Sequence, residues 1–126
     1  MKSKTVLLGL LIGAVATPVG AGDRPRLTIR VSPAVSFAPA NLVIRATIDS
    51  DADNRRVEIV AESPEFYRSS EIQLDGENAP RTSLIEFRSV PTGLYEVRAT
   101  LRGSSGRERA SVRQQVNVVS SAASGS

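Results

Sequence analysis

The 126 residues suffice for one domain and not two, and 40% hydrophobic with 23% charged residues suits a folded chain rather than a disordered one. There is no Cys and no His, which excludes a disulfide framework, a cysteine lipid anchor, a zinc site of the usual ligands, a thiol nucleophile and a histidine base. The formal charge of +3 shrinks to +1 once Lys2 and Lys4 are set aside with the N-terminal segment, and the fourteen arginines then interleave with thirteen acids. The clustered basic footprint of a nucleic-acid binder is missing.

Residues 1–21 read as a signal peptide. Lys2 and Lys4 form a positive start, Val6 to Val15 an apolar run, and Thr17-Pro18-Val19-Gly20-Ala21 a helix break with small residues at a cleavage site before Gly22. The apolar run is too short for a membrane span, which takes about twenty residues. The expectation is therefore export to the periplasm, cell surface or medium of a bacterium, with no membrane span left after cleavage.

From Arg26 the chain proceeds in short alternating segments. Leu27, Ile29 and Val31 alternate with polar residues in a first strand that stops at Pro33, and Ser32 to Pro39 is a proline-punctuated edge segment. Leu42, Ile44, Ala46 and Ile48 mark a second strand. A polar turn, Ser50 to Asn54, leads to a third with Val57, Ile59 and Ala61 on one face. Phe66 and Tyr67 read as aromatics between sheets or over a loop, Ile72 and Leu74 as a short strand closed by Asp75-Gly76, and Ser83, Ile85 and Phe87 as the inward side of a fifth strand.

The strongest pattern is Gly93 to Leu101, where Tyr95, Val97, Ala99 and Leu101 alternate with Glu96, Arg98, Thr100 and Arg102. Pro91 and Gly93 before it make a sharp corner. Gly103 to Gly106 reads as a hairpin loop, and Ala110, Val112, Gln114, Val116 and Val118 share one face of the last strand. Seven strands and no helix predict an all-β fold, a seven-stranded antiparallel Greek-key sandwich over residues 22–119, with a tail at 120–126. With 4% aromatics and no Trp, its core must rest on Val, Ile, Leu and Ala.

These residues carry a resemblance. A tyrosine just inside a strand after such a corner resembles the tyrosine corner of Greek-key sandwiches, whose hydroxyl bonds upstream backbone. Ser32-Pro33, Ala38-Pro39 before Leu42 to Ala46, Gly93 to Val97 and Ser104-Ser105-Gly106 together resemble immunoglobulin-like modules of the PKD type, similar in architecture to fibronectin type III domains. The Trp-Asp-Phe-Gly-Asp-Gly segment usual in PKD modules is absent, and Val57 to Glu62 stands at its strand. Phe87 to Tyr95 is also similar to transthyretin-like and carboxypeptidase-regulatory-like domains. Each resemblance implies a small sandwich used as a binding or spacer module.

The constellation with the most chemistry is Asp49-Ser50-Asp51-Ala52-Asp53-Asn54. Asp49, Asp51 and Asp53, at alternate positions in a turn, are the calcium candidates, since a hard cation takes such oxygens. The full loop signature fails, with Asn54 where its Gly and Val60 where its bidentate Glu should stand, so the residues favour a solvated turn over a metal site. Ser104 and Ser105 have only carboxylates as bases and lack a Gly-x-Ser-x-Gly elbow. Glu58 with Glu62, and Glu86 with Glu96, read as outward-facing charges rather than a glycosidase pair. Arg45, Arg98 and Arg113 also face outward, where acids on neighbouring strands would pair with them or share a polar recognition surface.

The residues thus point to an exported, non-catalytic module without cofactor, structural or protein-binding, whose partner is an unknown protein or a cell-surface polysaccharide and not a nucleic acid. The alternatives from other classes are a calcium-assisted adhesion or carbohydrate-binding domain and a small secreted hydrolase.

Overall fold

The computed structural model describes residues 25–120. The leader at 1–21, its cleavage point before Gly22, and the tail beyond Ser120 lie outside the described residues. The described residues are all-β and their strands form two sheets, with short 3-10 turns at Gly76–Asn78 and Ser104–Gly106. β1 (Leu27–Ser32), β3 (Ala40–Ile48) and β6 (Thr82–Val90) make a three-stranded sheet in the order β1-β3-β6. β2 (Val35–Phe37), β4 (Arg56–Ser63), β5 (Phe66–Gln73), β7 (Gly93–Arg102) and β8 (Glu108–Val119) make a five-stranded sheet in the order β2-β8-β7-β4-β5.

The period-two pattern decides which residues meet. Leu42, Ile44, Ala46 and Ile48 of β3, with Leu27, Val31 and Phe87, lie in one buried core with Val57, Ile59 and Ala61 of β4, Tyr95, Val97, Ala99 and Leu101 of β7, and Val116 and Val118 of β8. Every one of these alternates with a more exposed neighbour, as a sheet with one covered face requires. Each fully buried Leu, Ile or Val contributes about 1.5–3 kcal/mol relative to exposure. The core runs on branched aliphatics, as the lack of Trp demands.

Two expectations need correction. The described residues hold eight strands, not seven, and not all pairs are antiparallel: the proline-punctuated segment contains β2, which pairs parallel with β8, Val35 opposite Asn117 and Phe37 opposite Val119. The chain leaves β1 at Pro33 and continues in the same direction against the other sheet. Pro33 and Pro39 bracket the few residues able to donate, so β2 stays three residues long.

The second correction concerns residues 66–74. The whole stretch Phe66–Gln73 is β5, not a short strand at Ile72 and Leu74, and Tyr67 is 60% exposed rather than covering a loop. Alternation was hidden because Arg68 and Ser70 occupy positions on the more covered side, along with Phe66 and Ile72. Arg68 is accommodated there by stacking its guanidinium 5.1 Å from the Phe66 ring centre and donating to the Arg88 carbonyl at 2.8 Å. Phe66 in turn meets Tyr95 edge-on, centroids 5.9 Å apart.

Candidate functional site

The concentrated chemistry lies at one end of the sandwich, where the β3–β4 turn approaches the β7–β8 loop. Asp53 Oδ1 accepts from the Ser104 backbone N–H at 3.0 Å and from Ser104 Oγ at 2.7 Å. Its Oδ2 accepts from Arg107 Nη2 at 3.0 Å and Arg109 Nη1 at 3.3 Å. The two Ser104 bonds first, and then the arginines, hold this carboxyl down to about 2. Gly103 permits the approach, because a Cβ there would collide with the Asp53 carboxylate. Asp51 Oδ1 accepts from the Asp53 N–H at 2.8 Å and Oδ2 faces Arg109 Nη2 at 3.1 Å, so Asp51 too sits below the usual carboxylate range, the backbone bond being the main cause.

Below this lies Asn54, fully buried. Its Nδ2 donates to the Asp49 carbonyl at 3.0 Å and its N–H to the Asp51 carbonyl at 3.1 Å, which closes the turn from within. Its own carbonyl accepts from Gly76 N at 3.0 Å, and Gly76 holds φ +52° beside Ala52. The sequence shows Asn54 only as a departure from a calcium loop. Here it is the turn's internal brace.

The three calcium candidates do not act as one group. Asp51 and Asp53 converge on the guanidinium of Arg109, while Asp49 pairs with Arg81 at 3.7 Å. Among the described residues no three acids gather as a metal-ligand set. Arginine occupies the position between Asp51 and Asp53 where a cation would have to sit. Sequence reasoning passed over Arg107 and Arg109, and the signal for them was modest: two arginines two residues apart just after a Gly-bounded loop.

Ser104 Oγ meets in Asp53 a carboxylate held down to a pKa of about 2. A base of pKa about 2 has too little affinity for a proton to activate an alcohol near neutral pH. Ser105 Oγ instead donates to the Ser104 carbonyl at 2.6 Å.

On the outer face of the five-stranded sheet, residues of like charge stand side by side across strands. Arg98 is opposite Arg113, Glu62 opposite Glu96, and Glu58 opposite Glu71. Neutralisation runs along strands and diagonally instead: Arg98 to Glu96 at 2.8 Å, Arg113 to Glu96 at 3.2 Å, Arg102 to Glu58 at 3.0 Å and Arg56 to Glu58 at 3.0 Å. Opposite charges were expected on neighbouring strands. Arg98 and Arg113 meet them, shifted by one pleat, whereas Arg45 has no carboxylate partner among the described residues. Burial pushes Glu58 up, yet the Arg102 and Arg56 bonds together win and lower it. Glu86 pairs with Arg88 at 3.2 Å on the other sheet, away from Glu96.

At the opposite end of the sandwich from the aspartate turn, Tyr95 is buried and donates its hydroxyl to the Pro91 carbonyl at 2.8 Å. Burial raises its pKa above the ordinary phenol value. Beside it a shallow depression of about 390 Å³ is lined by Glu62, Ser63, Leu94, Tyr95 and Gln115 among others.

No family model matches the chain, and no curated protein matches it significantly. Among solved structures it is similar to a superoxide reductase (neelaredoxin) from Ignicoccus hospitalis, with a TM-score of 0.60, 11% identity, and coverage of 73% of this chain and 79% of that one. It is also similar to a family 76 glycoside hydrolase from a bovine Bacteroides thetaiotaomicron strain, with a TM-score of 0.52, 19% identity and coverage of 73% of this chain but 20% of that one. The chain thus spans about a fifth of the hydrolase. At such identities the likeness is one of fold.

Proposed function

We propose that the chain is an exported, non-catalytic module of immunoglobulin-like type with a structural or protein-interaction role. The observation that carries this reading is the saturation of Asp53. Its two oxygens are engaged by four donors that tie the β3–β4 turn to the β7–β8 loop, so the most perturbed carboxylate of the described residues holds the fold together. That engagement supports a structural role over an acid–base one.

Three features support the immunoglobulin-like assignment. β3 and β6 pair although the β4–β5 hairpin between them belongs to the other sheet, the crossing pattern of a Greek key. The strands divide three against five around one aliphatic core. The Tyr95 hydroxyl bonds the backbone just before its own strand. Export rests on the leader read at residues 1–21.

The test is expression of the full chain in a bacterium, followed by fractionation and intact-mass analysis. The reading expects a periplasmic or medium species starting at Gly22 that turns over no ester, glycoside, phosphate or peptide substrate. Turnover abolished by Asp53→Asn would overturn it and make the Ser104–Asp53 contact catalytic.

A further inference from the structure

On the outer face of the three-stranded sheet, Arg30 of β1 stands directly opposite Arg45 of β3. Both are exposed, and neither has an ion-pair or hydrogen-bond partner among the described residues. Every other described arginine has one. Arg26, Arg55 and Arg68 donate to backbone carbonyls. Arg56, Arg81, Arg88, Arg98, Arg102, Arg107, Arg109 and Arg113 meet carboxylates. Residues opposite each other on antiparallel strands have Cα atoms about 4.5–5.5 Å apart, and like charges placed so are unfavourable. Arg98 and Arg113 also stand opposite each other, but each reaches a carboxylate, whereas Arg30 and Arg45 form a facing pair with no such partner among the described residues.

The surroundings suit a hydroxyl-rich anion. Thr28 is opposite Thr47, and Thr47 opposite Thr82, so a row of three threonines crosses the sheet one pleat from the arginines. Leu84, opposite Arg45, adds an exposed apolar side chain. Beyond the threonines a shallow depression of about 170 Å³ is lined by Pro25, Thr28, Thr47, Ile48, Asp49 and Arg81. The two acids nearby are already engaged, Asp49 by Arg81 and Glu86 by Arg88.

We infer that this face binds an acidic polysaccharide. The two guanidiniums present planar forks that match carboxylates, and the threonine row offers donors and acceptors to sugar hydroxyls. An acidic peptide would instead add at a strand edge through its main chain. On the β1 edge the Val31 backbone is taken by the side chain of Gln114, which accepts from its N–H at 3.1 Å and donates to its carbonyl at 3.4 Å. The guanidiniums project from the face and not along that edge. This inference rests on reading the chain as a binding module rather than an enzyme.

The test is native electrophoresis of the secreted chain through gels containing polygalacturonate at low ionic strength. Retardation is expected, with apparent affinity falling at least tenfold in Arg30→Ala/Arg45→Ala and less than twofold in Arg88→Ala/Arg113→Ala, which removes the same charge. The first double variant should unfold at an unchanged or higher denaturant midpoint, since it relieves repulsion, so its lost binding is not lost fold. No retardation, equal losses in the two double variants, or equal binding of poly-glutamate or anionic lipid vesicles would overturn the proposal. Release of reducing ends from the polymer would leave the site standing and overturn the non-catalytic reading alone.

Discussion

Tyr95 donates its hydroxyl to the carbonyl of Pro91, four residues upstream, across 2.8 Å, from a ring that is only 1% exposed. One bond thereby fixes the turn between β6 and β7 to the core those strands cover. Gly93 sits against that ring: a Cβ there would lie 3.1 Å from it.

Tyr95→Phe keeps the ring and removes one part-buried hydrogen bond to the exposed Pro91, at a cost of about 0.5–1.5 kcal/mol. Tyr95→Ala also removes the edge-on contact with Phe66 and opens a cavity, costing about 3–5 kcal/mol. Glu96→Ala, facing out but holding Arg98 and Arg113, costs less than about 1 kcal/mol, the range of exposed pairs. Urea denaturation of the three variants gives the order. A Glu96→Ala loss equal to that of Tyr95→Ala would contradict the assigned faces.

Acid should loosen the aspartate turn. Folded Asp53 stays charged down to about 2, whereas an aspartate in the unfolded chain protonates near about 3.9. Unfolding therefore takes up a proton between those values. The stability due to Asp53 is complete above pH about 4 and is lost as the pH falls toward 2. Asp53→Asn is less stable than the parent at pH 7, and the two melting curves converge as pH approaches 2. Some acid sensitivity survives in the variant, because Asp51 is held low as well. A constant difference between the two from pH 7 to pH 2 would show that the Asp53 charge contributes nothing.

Asn54 makes the complementary case for an uncharged brace. Asn54→Ala removes the bond to the Asp49 carbonyl from a fully buried site and costs about 1–3 kcal/mol. Ser50→Ala, exposed in the same turn, changes stability by less than about 0.5 kcal/mol. Equal midpoints for the two variants would remove the brace from the account of this turn.

What was legible follows from which contacts leave a local trace. β3, β4 and β7 announce themselves because their inward positions are aliphatic at every second residue, and Tyr95 is preceded by Pro91 and Gly93. β5 does not, because Arg68 is neutralised by a ring and a carbonyl that come from elsewhere in sequence. The parallel β2–β8 pair depends on a partner about eighty residues away, and three residues carry too little pattern to name it. The aspartates were visible as a cluster, but their partners Ser104, Arg107 and Arg109 lie more than fifty residues on. Arg30 and Arg45 become neighbours only through the β1–β3 register.

Gln114 is the inward polar residue of β8, between Val112 and Val116, and its position has a reason. β1 is an edge of the three-stranded sheet, and among the described residues no main-chain strand pairs its outer side. The Gln114 amide acts there as a one-residue surrogate strand, its Oε1 accepting from Val31 N–H and its Nε2 donating to Val31 carbonyl. Val31 is 3% exposed, so its N–H has little water to fall back on. Gln114→Leu fills the space with an apolar group but strands the N–H, and costs about 1–3 kcal/mol. Gln114→Glu keeps the acceptor and loses the donor, and brings a charge to a half-buried site. It is therefore more damaging at pH 7 than at pH 4, where the carboxyl takes a proton and recovers a donor. Gln115→Ala, next along and exposed, changes stability by less than about 0.5 kcal/mol. Amide hydrogen exchange provides a local readout, since the Val31 N–H should lose protection in Gln114→Leu while that of Ile44, within the β3 core, keeps it. If Val31 stays protected, the surrogate strand is not what holds β1 to β8.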